Sequence, residues 1–244
     1  MAKVTYLDNA GFIVKTDDVI YVFDYYRDPA HRLVKILENN TELPVIFFAS
    51  GPHSSHYNEQ IFNLAQNHKR AYICANQVVS KIGDTEENTA TLTAGDKIEN
   101  VLDTGTTVEA FGSTESGVSF IVKTKSGQVL FHGGDLAPYH LDESHTKEKG
   151  QSMVSRFETI VNRIAEKYPK INLAFLAVDP MVGQDYADGV RKFVETIDVE
   201  NLIPMHYHGK KEMACDFRTY NIAPDIKTRF HGFNNVGQEL NIKV

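Results

Sequence analysis

Residues 46–58 read I-F-F-A-S-G-P-H-S-S-H-Y-N. An apolar run of strand length, placed at 45–49, breaks at Gly51-Pro52 and then offers two histidines, His53 and His56, three positions apart. A rigid strand fixes where the side chains of the following loop point, so closely spaced imidazoles in such a loop suit a metal site.

The same pattern recurs along the chain. Strand-like runs at 4–7, 11–14 and 19–24 are split by a turn at 15–18, and Leu33, Ile36 and Leu37 fall at helical spacing within 30–38. Beyond the motif, Ile61, Phe62 and Ala65 fit a helix, 71–75 a strand, and 89–123 a series of alternating strands. A strand at 129–132 ends on Gly133-Gly134-Asp135, and 137–150 is polar and aperiodic, so it reads as a loop or lid. Val154, Phe157, Ile160, Val161 and Ile164 mark an amphipathic helix from Met153, stopped by Pro169. A buried strand at 171–178, a helix at 186–197 and a short strand at 202–205 lead to His206. Strand-rich and helix-bearing portions that occur twice predict two mixed sheets packed face to face with helices outside, a four-layer αββα sandwich.

With 244 residues, 42% of them hydrophobic, and no linker-like stretch, the chain reads as one domain, 1–244. A net charge of -7 argues against a broad nucleic-acid grip. No run of about 18 uncharged apolar residues is present. The expectation is a soluble cytoplasmic protein with a small-molecule substrate and no nucleic-acid or membrane partner, as a monomer or a homo-oligomer. Cys74 and Cys215 are too few for a disulfide framework and read as reduced, packed thiols.

His53, Asp135, Asp179 and His206 all sit just after predicted strands, where open α/β sheets carry their sites. His56 and Asp24 belong to the same group, and several His and Asp side chains converging from rigid elements suit a divalent metal. Each alone is more simply a capped or hydrogen-bonded histidine or carboxylate; several at equivalent strand ends are harder to explain that way.

These residues carry a resemblance to the metallo-β-lactamase superfamily, and most to the bacterial metal-dependent hydrolases that include the ascorbate-6-phosphate lactonase group. S-G-P-H-S-S-H-Y resembles the signature His-x-His-x-Asp-His, with His53 and His56 as its second and third histidines, Gly51 in place of the first and Ser55 in place of the aspartate. L-D-N-A-G-F-I-V and Y-V-F-D-Y resemble the opening hairpin and its strand-end aspartate, Asp24. F-H-G-G-D-L resembles the block of the metal-bridging aspartate, Asp135, while A-V-D-P-M-V-G and I-P-M-H-Y resemble two late blocks, the second ending on the last histidine ligand, His206. At A-F-G-S-T-E-S-G-V-S-F many members carry a further histidine, and here Ser113, Thr114 and Glu115 stand.

The resemblance therefore implies that one metal position keeps only His53, while the other keeps His56, Asp135 and His206. Two His and one Asp match the three-ligand, open-position pattern of catalytic zinc. The expectation is one divalent metal ion, zinc first with manganese or iron as alternatives, on His56, Asp135 and His206, with His53 near enough to ligate or to orient a water. Ser55 can hydrogen-bond a water but is no general base at neutral pH. His140 and His208 are candidates as further ligands or as acid/base groups, His145 less so, and Glu115 is a further candidate for a ligand or base in the vacated place. Asp24 and Asp179 are expected to support ligands. The functional expectation is a metal-dependent hydrolase that uses a metal-activated water on a small polar metabolite, a lactone, phosphoester or amide. The alternative is an inactive member of the superfamily that binds a small molecule or serves as a scaffold.

Overall fold

The computed structural model describes residues 1–81, 88–139, 147–179 and 186–244. Its first strands are β1 (Ala2–Asp8), β2 (Gly11–Lys15), β3 (Ile20–Phe23), β4 (Val45–Ala49), β5 (Arg70–Ala75) and β6 (Thr89–Leu92). They are followed by β7 (Lys97–Val101), β8 (Thr106–Gly112), β9 (Val118–Lys123), β10 (Val129–His132), β11 (Lys170–Ile171) and β12 (Leu173–Ala177). The last are β13 (Asp198–Val199), β14 (Asn201–Met205), β15 (Arg229–Phe230) and β16 (Glu239–Ile242). The helices are α1 (Arg32–Glu38), α2 (Lys147–Lys167), α3 (Asp188–Thr196) and α4 (Lys211–Ala214).

Two seven-stranded sheets result, ordered β16-β1-β2-β3-β4-β5-β6 and β15-β14-β12-β10-β9-β8-β7, with β11 and β13 as a small parallel pair. Both large sheets are mixed. In the first, β16, β1, β2 and β3 are antiparallel neighbours and β3 to β6 run parallel. In the second, β7 to β10 are antiparallel and β10, β12, β14 and β15 parallel. The predicted α/β architecture of two mixed sheets is the one observed.

The sheets meet through aromatic rings. Phe12 of β2 lies 4.7 Å from Phe175 of β12 between ring centroids, and Phe48 of β4 lies 5.3 Å from Phe120 of β9. Every residue of β4 is buried, because Phe48 faces the other sheet while Phe47 stacks on Tyr72 on the outer side. A strand covered on both faces reads as a continuous apolar run rather than an alternation, which is why 45–49 stands out in the sequence. On the outside of the second sheet, Phe193 of α3 stacks on Phe131 of β10, and α2 packs against α3 and β8.

Pro204 inside β14 shows how a central strand admits proline. The Met205 carbonyl faces β12, where it accepts the Val178 N–H, while the Leu202 carbonyl accepts from His231 on the β15 side. The ring nitrogen of Pro204 therefore faces the β15 side past the last residue paired there, where no N–H is needed.

Some local expectations change. The helix expected at 61–65 is a 3-10 turn, Glu59–Asn63, capped by the Asn58 side chain on the Gln60 N–H, and Ala65 lies outside it at φ 55°. Three apolar positions over one turn cannot nucleate an α-helix on their own. The helix expected from Met153 begins earlier, at Lys147, so the segment read as a loop or lid is shorter than predicted, and its residues 140–146 lie outside the described residues. β16, which has one fully buried residue and little alternation, was not legible as a strand, yet it pairs with β1 and completes the first sheet. Among the described residues no helix is long and apolar enough to cross a membrane.

Close approach between the two sheets is set by glycine. At Gly117, φ is +82° and a Cβ would stand 1.9 Å from the Ser50 carbonyl oxygen; at Gly134, φ is +54° and a Cβ would stand 2.7 Å from Ser50 Oγ. Gly117→Ala is expected to destabilise the fold more than Gly127→Ala, which has a similar φ of +88° but open space around its Cβ. Equal losses in denaturant unfolding would contradict the clash. Phe175→Ala, at a fully buried position, is expected to lower stability by about 3–5 kcal/mol, read as a lower midpoint at unchanged slope.

Candidate metal centre

The carboxyl ends of β3, β4, β10, β12 and β14 converge, and the residues that follow them are Asp24, Ser50, Asp135, Asp179 and His206. Asp24 is fully buried at φ 44°. It accepts the Ser50 backbone N–H at 2.7 Å, the Ser50 hydroxyl at 2.6 Å and His56 Nδ1 at 2.6 Å. A carboxylate bonded in this way fixes the tautomer and the plane of the imidazole.

His56 then presents Nε2 inward, 2.8 Å from Asp135 Oδ1. Burial works against the His56 imidazolium, but Asp24 and Asp135 on either side outweigh it and raise its pKa to about 10. His206 Nε2 lies 3.4 Å from the same Asp135 oxygen, and its ring is nearly parallel to that of His56, with centroids 5.3 Å apart. His206 is buried, neither of its ring nitrogens has a hydrogen-bond partner, and burial pushes its pKa down to about 4. Its backbone is held by a bond from its N–H to the Asn9 carbonyl and lies at φ 66°.

The ligand atoms of His56, Asp135 and His206 lie within 4.8 Å of one another, and all three residues are buried. Two neutral-capable imidazoles and one carboxylate are a donor set for zinc or a similar divalent ion. The 2.8 Å contact between His56 Nε2 and Asp135 Oδ1 spans the place a cation would take, since imidazole ligates in its neutral form. The orphaned nitrogens of His206 fit the same reading, because a buried histidine with no partner carries a desolvation penalty that coordination removes.

Other predicted residues lie outside this buried triad. His53 is exposed on the turn before His56, whose N–H bonds the His53 carbonyl, and it does not join the cluster. Ser55 is half-buried on that turn. His140 and His145 lie outside the described residues. His208 is exposed, with its ring 4.6 Å from that of His206 and Nε2 3.5 Å from Asp179 Oδ2. Asp179 thus faces His208 as well as the cluster, a pairing the sequence did not reveal. Glu115 is exposed too, and its carboxyl is pushed up by partial burial and by Asp135.

Thr114 holds the turn that carries Asp135: its hydroxyl donates to the Asp135 carbonyl at 2.8 Å and accepts the Ala137 N–H at 3.0 Å. Of the tyrosines, Tyr207 turns away to bond the Phe233 carbonyl, while Tyr139 is buried with its pKa raised by burial and by Asp135. His132 is fully buried, bonded to the Ala10 carbonyl and stacked on Phe23, so it serves the core. Sequence reasoning missed Ser50 and Asn9. No motif marks Ser50; the carboxamide of Asn9 is buried without partners beside the backbone bond to His206.

No protein-family model and no curated protein matches this sequence. Solved structures do. Igni18, a metallo hydrolase from Ignicoccus hospitalis, superposes with a TM-score of 0.66 at 13% identity, over 99% of each chain. The metallo-β-lactamase fold protein YhfI from Bacillus subtilis superposes with a TM-score of 0.58 at 11% identity, over 99% of this chain and 100% of the other. CmlA, a diiron β-hydroxylase from Streptomyces venezuelae, gives 0.55 at 9% identity over 84% of this chain and 44% of its own. With its two mixed seven-stranded sheets, the chain has the metallo-β-lactamase fold.

Proposed function

We propose that the protein is a metal-dependent hydrolase acting on a small polar metabolite, with one divalent cation, zinc first, held by His56, Asp135 and His206. The observation that carries this reading is the pair of unpartnered nitrogens on buried His206, beside Asp135 and a His56 ring locked from behind by Asp24. The likeness in fold to a metallo hydrolase supports it. When bound, such a cation supplies a Lewis acid that polarises a carbonyl or phosphoryl oxygen and draws the pKa of water down towards about 7.

The residues of the chain do the rest. Asp24 orients His56, Thr114 holds the backbone of Asp135, and the left-handed turn at His206 points its ring at Asp135. Ser55, next to His56, donates a hydrogen bond to water or substrate and takes no proton at neutral pH. His208 and Asp179 line the exposed side of the cluster, where substrate has access. Lactones, phosphoesters and amides all present the electrophilic centre this arrangement requires. A second reading, a protein that binds a small molecule without hydrolysing it, is favoured by Ser55 and exposed His53 at positions where the superfamily signature has an aspartate and a ligand.

Calorimetric titration of chelator-treated protein with zinc chloride is expected to show tight binding that His56→Ala and His206→Ala abolish, and chelation is expected to lower the melting temperature of the loaded protein. Undiminished binding in both variants would sink the metal site. Asp24→Asn, which keeps the shape but weakens the hold on His56, is expected to reduce zinc affinity by about 10 to 100-fold, measured by competition with a chromogenic chelator. Zinc-loaded protein is expected to hydrolyse at least one of a panel of lactones, phosphomonoesters and amides, and His206→Ala to abolish that activity; zinc binding without turnover of any would favour the second reading.

A further inference from the structure

At the end of the second sheet opposite the metal centre, β12, β14 and β15 run parallel and their amino ends lie side by side. Glu200, just before β14, and His206, just after it, are separated by about 20 Å at the rise of a strand. A pocket of about 510 Å³ opens there, lined by Lys170, Lys227, Arg229 and Lys243 together with Asp198 and Glu200. Cations stay in excess even with a terminal carboxylate at Val244, which also lines it. In a chain of net charge -7 such an excess is a local feature.

The pocket is built around a buried hub. Asn201 is 1% exposed, and its Nδ2 donates to the Asn172 carbonyl at 2.9 Å and to the Lys243 carbonyl at 3.0 Å. Two carbonyls can only accept, so Oδ1 faces the other way, where it takes Arg229 Nε at 3.1 Å and His231 Nε2 at 3.0 Å. One side chain thus uses its full hydrogen-bonding capacity to join the starts of β12, β14 and β15 to the end of β16. Nε anchors the Arg229 guanidinium, and its two terminal nitrogens have no hydrogen-bond or ion-pair partner among the described residues.

The carboxylates of the pocket are engaged elsewhere. Lys170 Nζ lies 2.7 Å from one Glu200 oxygen, and Asn172 Nδ2 donates to the other at 3.1 Å. Glu200, and after it Asp198, raises the Lys170 pKa. Lys227 and Lys243, both exposed, make no ion pair or side-chain hydrogen bond among the described residues. A fixed guanidinium fork and two unpaired ammonium groups, from three segments of the chain, therefore line one pocket. A carboxylate carries one charge and two oxygens. A phosphate monoester carries close to two charges at pH 7 and three free oxygens, and so engages all three cations.

We propose that this pocket binds a small phosphate ester, with Arg229 gripping the phosphate through its two terminal nitrogens and Lys227 and Lys243 neutralising it. The volume suits a metabolite rather than a bare ion, and the negative charge of the whole chain disfavours long polyanions. The site is separate from the metal centre and does not depend on the reading given under Proposed function.

Calorimetric titration of full-length, chelator-treated protein with ribose 5-phosphate tests this site, beside inorganic phosphate and with circular dichroism melts to establish that each variant is folded. Saturable one-site binding is expected, tighter for the ester than for inorganic phosphate and weaker at high salt. Arg229→Gln is expected to weaken it by about 10 to 100-fold through the loss of hydrogen bonds to a charged group, and Arg229→Lys, which keeps the charge without the fork, by less. The double variant Lys227→Gln/Lys243→Gln, at exposed positions, is expected to weaken it as well. No saturable binding of the ester, or binding undiminished in Arg229→Gln and in the double variant, overturns the site. Loss of binding in His206→Ala with retention in Arg229→Gln places the ester at the metal cluster and overturns it too, while tighter binding of inorganic phosphate overturns the choice of an ester.

Discussion

The buried carboxylate of Asp24 is the constraint on which the site depends. An ionised carboxylate removed from water is costly unless hydrogen bonds and charge compensate it. Here the Ser50 N–H, the Ser50 hydroxyl and His56 Nδ1 supply that compensation from the segment after the neighbouring strand. They reach Asp24 because β3 and β4 run parallel in register, Phe23 opposite Phe48, so that both chains leave the sheet at the same level. Ser50 is in turn pressed by Gly117 and Gly134 of the other sheet. One carboxylate thus ties together the ends of two strands, the metal-motif loop and the seam between the sheets.

His56 and His206 are held by different means. A hydrogen bond orients the His56 ring and leaves Nε2 as its working atom. The His206 ring has no such bond; its direction comes from a left-handed backbone and from the tie between its N–H and the Asn9 carbonyl. Positive φ at Asp24, His206 and His208, none of them glycine, stores strain of about 1–3 kcal/mol each, and such strain collects where a site needs side chains aimed against local preference.

Folds of this kind host more than one chemistry, as the metallo hydrolase and the diiron hydroxylase among the similar structures illustrate. What distinguishes this chain lies in its side chains. Gly51 and Ser55 thin the motif loop, Thr114 spends its hydroxyl on the turn of Asp135, and His53 faces solvent, so the donors that converge are those at the ends of β10, β12 and β14 together with His56.

Much of this was legible in the order of residues. Doubly covered strands announce themselves as unbroken apolar runs, as at 45–49, and a helix with one buried face shows a 3.6-residue period, as at Val154 to Ile164; both signals are local. His56, Asp135 and His206 could be grouped because each follows a strand that periodicity reveals and each fits a motif. Short or half-exposed elements such as β15 and β16 carry no period, and their existence depends on an edge supplied from far away in the chain. Tertiary structure alone decided that His53 turns out while His56, three residues on, turns in, because that choice is made by Asp24 across the sheet. It also decided that Asp179 and His208, 29 residues apart, share one side of His206. Sequence can nominate ligands, but convergence is a property of strand register and of the backbone at strand ends.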